Sequence, residues 1–95
     1  MFEIRETAIP GCLELQPIVR GDSRGQFVKT FHADFFNSNR LETDWREQYY
    51  STSRRGVLRG MHFQTPPHSH SKLVYCTSGT ILDVVVDLRT GSPAF

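Results

Sequence analysis

Ninety-five residues carrying eleven basic and ten acidic side chains make one small domain at most, with a net charge of +1. That balance argues against a nucleic-acid footprint driven by bulk charge, no apolar run approaches a membrane span, and Met1-Phe2-Glu3 does not open a signal peptide. Cys12 and Cys76 stand far apart and form no CxxC pair. Two free thiols in a cytoplasmic protein is the favoured reading, and the even count leaves a bridge open.

In chain order, short segments rich in β-branched and aromatic residues alternate with turn signals. Strands are expected around residues 13–16, 26–31, 48–53, 57–63, 73–77 and 81–88. Only 33–41 reads as helical, with Phe35 and Phe36 turned inward. Pro10-Gly11, the Gly21-to-Gly25 stretch, Arg54-Arg55-Gly56, Pro66-Pro67, Ser78-Gly79 and Gly91-Ser92-Pro93 punctuate them. No repeat, low-complexity tract or charge block marks an internal boundary. Many short strands between tight turns predict an all-β fold, an antiparallel sandwich or barrel, which a jelly roll satisfies. A chain this short buries a modest fraction of its surface, so partner surfaces or further chain are often needed for a robust core.

A two-residue turn at Ser78-Gly79 would set Thr77 opposite Thr80 and Val74 opposite Asp83. Lys72, Val74, Cys76, Ile81, Asp83, Val85 and Asp87 would then share one face, and Leu73, Tyr75, Leu82, Val84, Val86 and Leu88 the other. The second face is apolar and calls for a sheet or subunit to cover it. The first puts Lys72 diagonal to Asp83, at roughly 7–8 Å by sheet geometry.

The chemistry concentrates in Gly56-Val57-Leu58-Arg59-Gly60-Met61-His62-Phe63-Gln64, followed by Pro66-Pro67 and Lys72-Leu73-Val74. Arginine supplies an anion anchor, histidine a proton acceptor near neutral pH, and lysine a cation to hold an enolate. Each has a duller reading: a lone strand histidine is more often structural, a lone lysine solvated, a lone arginine part of a surface ion pair. Arg59 and His62 are three residues apart, so a regular strand would point them to opposite faces. If both enter one pocket, irregular backbone is expected at Gly60, or a pocket that receives Arg59 from an adjoining subunit.

The order and spacing of these blocks resemble the dTDP-4-dehydrorhamnose 3,5-epimerase family, a metal-free branch of the cupin-like jelly rolls. There GVLRG-(L/I/M)-H-(F/Y)-Q, PP, KLV and DVAVDLR-x-x-SP-x-F follow one another, as they do here through Asp83-Val84-Val85-Val86-Asp87-Leu88-Arg89 to Phe95. The resemblance covers nearly the whole chain and about the first half of the family's sequence. It implies that residues 1–95 are the N-terminal portion of a single cupin-like jelly-roll domain, incomplete at the C-terminus.

The resemblance assigns His62 as general base and Lys72 as enolate stabiliser, with a carboxylate that orients the histidine and a tyrosine acid both outside this chain. Arg59 and Arg24 fit diphosphate recognition because a guanidinium presents a fork to phosphate oxygens, and Asp83, which the resemblance also carries over, could supply the counter-charge that Lys72 needs in a pocket. Asp22-Ser23-Arg24-Gly25-Gln26-Phe27 matches the family's D-x-R-G-x-F block, in which Arg24 and Phe27 help hold the nucleotide and the N-terminal strands reach into a neighbouring subunit. A homodimer is therefore implied. Lys29 stands where the family usually has glutamate, and Glu47 and Tyr49 replace a glutamine and an asparagine of the substrate pocket. An amide exchanged for a carboxylate alters the donors offered to an anionic ligand.

His68 and His70 have the H-x-H spacing of cupin metal sites, but no glutamate follows, and Lys72 falls near its usual slot. Two ligands without a third make a weak site, so these are read as loop histidines, with no metal and no cofactor expected. The leading expectation is an isomerase that epimerises a nucleotide-diphosphate sugar beside its 4-keto group. A ketoisomerase on the same scaffold and a non-catalytic sugar-binding module are the alternatives.

Overall fold

The computed structural model describes residues 1–95. Its regular structure is antiparallel β apart from one short helix. The order is β1 (Phe2–Glu6), β2 (Leu13–Pro17), β3 (Val19–Asp22), β4 (Gly25–Val28) and α1 (Ala33–Ser38). Two hairpins result: β1 pairs with β2, Phe2 opposite Pro17 and Ile4 opposite Leu15, and β3 pairs with β4, Arg20 opposite Phe27.

Alternation decides the first hairpin. Phe2, Ile4, Leu13, Leu15 and Pro17 are half-buried while Glu3, Glu14 and Gln16 face water, the pattern of a ribbon with one covered side. Residues 7–12 close it through the Thr7 hydroxyl, which donates to the Cys12 carbonyl at 2.6 Å and accepts from the Ile9 amide at 3.1 Å. The second hairpin has no covered side: all eight of its residues are exposed. A two-stranded ribbon of that kind is marginal by itself.

Helix α1 supplies the core. His32 caps it, its Nδ1 accepting from the Phe35 amide at 3.3 Å, which satisfies one of the amides that a first turn leaves free. The helix is shorter than the expected 33–41 because Arg40 turns left-handed, at φ 59°. Its amide bonds to the Asn37 carbonyl and that of Leu41 to the Phe36 carbonyl, the paired bonds of a Schellman closure. Phe36 is 1% exposed and is the only buried apolar side chain. Phe31 and Phe2 meet it edge-on, with ring centroids 4.7 and 5.7 Å away, and Phe2 also contacts Phe35 at 5.2 Å.

The strands expected at 48–53, 57–63, 73–77 and 81–88 form no ladder. Gly79 takes the positive φ (81°) of a turn, yet no backbone hydrogen bond joins 72–77 to 80–88. A strand's backbone groups are satisfied only by a neighbour, and these segments find none within the 95 residues. Most of their apolar side chains stay in water accordingly: Tyr75, Leu82, Val84, Val86 and Leu88 are all exposed.

Candidate functional site

The β3–β4 hairpin brings two expected nucleotide contacts together. Ser23 and Arg24 form its two-residue loop, and Phe27 stands directly across from Arg20, so those two side chains share a face. Arg20, Asp22, Arg24, Gln26 and Phe27, with Gly21 and Gly25, line an open groove of about 430 Å³. Arg20 was not singled out from the sequence. The register from Asp22 opposite Gly25 would have found it, because it places Arg20 against Phe27.

Asp22 engages the Arg24 fork: Nη2 donates to Oδ2 at 2.6 Å, and the Arg24 amide donates to Oδ1 at 2.8 Å. Hydrogen bonding from the Arg24 side chain, then from its amide, lowers the Asp22 carboxyl below its ordinary value, and the same contact raises Arg24. Both side chains remain largely in solvent, where such a pair contributes little to stability. The guanidinium is thus free to exchange Asp22 for another anion at small cost.

Arg59 reaches back along its own segment. Nε donates to Ser53 Oγ at 2.9 Å and Nη2 to the Thr52 carbonyl at 3.0 Å, leaving Nη1 without a protein partner. Beside it Gly60 adopts φ 122°, so the backbone between Arg59 and His62 is irregular. The imidazole folds over that glycine: a Cβ added there would lie 3.9 Å from His62 Nδ1. His62 and Lys72 are exposed, as is Asp83. No hydrogen bond or ion pair joins these three; the four ion pairs of the chain are Arg5–Glu3, Arg24–Asp22, Arg46–Asp44 and Arg89–Asp87. Lys29, Glu47 and Tyr49 are likewise exposed. His70 Nδ1 lies 3.0 Å from the His68 carbonyl, and no three His, Cys, Asp or Glu side chains come together. Both thiols are free.

The family model for dTDP-4-dehydrorhamnose 3,5-epimerase matches residues 6–95. This chain belongs to that family. Curated relatives extend the match over almost its entire length. A dTDP-4-dehydrorhamnose 3,5-epimerase from Mycolicibacterium smegmatis is 47% identical over 96% of the chain and 46% of the relative. One from Shigella flexneri is 40% identical over 99% of the chain and 52% of the relative. A dTDP-4-dehydrorhamnose 3-epimerase from Streptomyces niveus is 40% identical over 99% and 46%. The chain therefore spans about half the length of these relatives. No solved structure matches it significantly. Membership fixes the fold class as the cupin-like antiparallel β fold, of which two ribbons are formed here. No helix is long and apolar enough to cross a membrane.

Proposed function

We propose that these residues are the N-terminal portion of one epimerase jelly-roll domain, acting on a dTDP-4-keto-6-deoxyhexose in the cytoplasm as a homodimer. One observation carries the reading: the match to the epimerase family spans 6–95, the stretch that holds His62, Lys72 and Arg59. No metal or cofactor is needed for the chemistry that follows.

Neutral His62 takes the proton from the carbon beside the 4-keto group. The released electron pair moves onto the carbonyl oxygen, where the Lys72 ammonium stabilises the developing negative charge. Arg59 offers its open Nη1 to the diphosphate, and Arg24 and Phe27 hold the nucleotide along the β3–β4 groove. Asp83 is assigned as the counter-charge of Lys72, and Lys29, Glu47 and Tyr49 are assigned to the border of the sugar. A proton returned to the opposite face, from an acid outside these residues, inverts the centre.

Deuterium wash-in from heavy water into a dTDP-4-keto-6-deoxyhexose, followed at C3 and C5 by NMR, tests this. Exchange requires the base alone, and His62→Ala should slow it by about 10²–10⁴-fold. Undiminished exchange in that variant removes His62 from the role. A carbonyl that migrates marks a ketoisomerase instead, and binding without exchange marks a non-catalytic module. Because one relative is a 3-epimerase, label confined to C3 would place this chain with single-centre enzymes.

A further inference from the structure

One side-chain hydrogen bond ties the two ends of the chain together. Arg89 Nη2 donates to the Pro10 carbonyl over 2.7 Å, across 79 residues of sequence, whereas the other side-chain bonds reach no further than the seven residues of Arg59 to Thr52. The guanidinium is aimed by Asp87, whose carboxylate is 2% exposed and which is the only buried charged residue. Asp87 Oδ1 accepts from the Arg89 amide at 3.0 Å and from Nε at 2.9 Å, and Oδ2 accepts from Nη2 at 3.0 Å. A turn closed by the Ser92 amide on the Arg89 carbonyl, at 3.0 Å, holds the pair in place. Pro10, Arg89, Gly91, Ser92 and Pro93 meet around a cleft of about 250 Å³.

We propose that Asp87, Arg89 and the Pro10 carbonyl form a latch fastening residues 87–93 to the β1–β2 loop, and that protonating Asp87 opens it. Nothing in this rests on the epimerase reading, since none of the three groups has a catalytic part in it. A neutral carboxylic acid can no longer accept the whole guanidinium fork, and an unaimed Arg89 loses its fixed reach to Pro10. The loop from Thr7 to Cys12 has no charged side chain to take over, and Arg89 is the one charge acting on Asp87. Hydrogen bonding from Arg89, then from Ser92, holds the Asp87 carboxyl well below the usual carboxylate range. The folded value is thus depressed, so the latch contributes its full stability above the ordinary value of about 3.9 and loses it as pH falls from there toward the folded value.

An NMR titration of the isotope-labelled chain tests the latch. The Gly11 and Cys12 amide resonances should shift together with the Asp87 side-chain carboxyl carbon, at a midpoint below the ordinary carboxylate value. At neutral pH, Arg89→Lys should displace the same two amides by more than a linewidth while leaving those of Gly25 and Gln26 in place. An ammonium cannot offer a fork to Asp87 and also reach Pro10. Gly11 and Cys12 amides unmoved in that variant overturn the latch. So does a titration in which they fail to follow the Asp87 side-chain carboxyl carbon, and the wild-type titration decides alone should Arg89→Lys not fold.

Discussion

Gly60 is where backbone conformation and the candidate base meet. At φ 122° it occupies a region that side-chain-bearing residues rarely adopt, while an added Cβ would meet nothing closer than His62 Nδ1 at 3.9 Å. Space therefore does not demand glycine; the dihedral does. Gly60→Ala should cost about 1–3 kcal/mol if the conformation is kept. If the backbone instead relaxes, it swings Met61 and His62 away from their present direction. The relaxed route predicts an exchange rate on the keto sugar at least about tenfold lower, an activation difference of roughly 1.4 kcal/mol, whereas the kept conformation shows only as lost stability. The measurement is deuterium wash-in beside denaturant unfolding, and a variant with wild-type exchange would show that the His62 direction does not depend on Gly60. The neighbouring Arg59 illustrates the same coupling, since its bonds to Ser53 and Thr52 fix the guanidinium on the N-terminal side of that glycine.

Among the elements, α1 does most to hold the described structure, because Phe36 is its core and the Schellman closure ends it. Arg40 carries the left-handed position of that closure with a Cβ in place, a conformation that disfavours L-residues by about 1–2 kcal/mol. Arg40→Gly relieves it and gives back part of the gain through the freer unfolded chain. The expected outcome is a stabilisation of up to about 1 kcal/mol, read as a higher urea midpoint at unchanged slope. A lower midpoint would mean that the Arg40 side chain contributes more than its backbone costs. The helix also shows what sequence makes legible. Its start and its inward Phe36 follow from local pattern, whereas its end depends on bonds of Arg40 and Leu41 that periodicity does not report. Strands β2 and β4 were readable from composition. β1 was overlooked although Phe2 and Ile4 alternate with Glu3 and Arg5, and β3 was masked by the turn residues Gly21 and Asp22. Residues 48–88 have strand composition, but a ladder needs a second segment, and pairing is the part that a single stretch of sequence does not contain. The candidate site divides the same way. His62, Lys72 and Arg59 were legible as types in order; how close they come is set by pairing, and so was not.

Surface area sets the behaviour of the whole molecule. A folded monomer of 10.9 kDa is expected to expose about 5,600 Å², and this chain exposes 9051 Å². Its radius of gyration, 15.5 Å, likewise exceeds the roughly 12 Å of a packed chain of this length. Much of the excess is apolar, since Tyr75, Leu82, Val84, Val86 and Leu88 along one stretch, and Phe27 and Val19 on the second hairpin, all face water. With a net charge of +1 there is little electrostatic repulsion to keep copies apart. Association of the 95-residue chain should therefore bury these residues. The drive would be hydrophobic, so raising salt should leave the assembly intact where screening would dissolve a charge-driven one, while low urea should release it. Sedimentation at tens of micromolar should accordingly give a mass of two chains or more, unchanged in strong salt. A single species at 10.9 kDa across that range would show that the chain covers its apolar segments by itself, in an arrangement more closed than the one described.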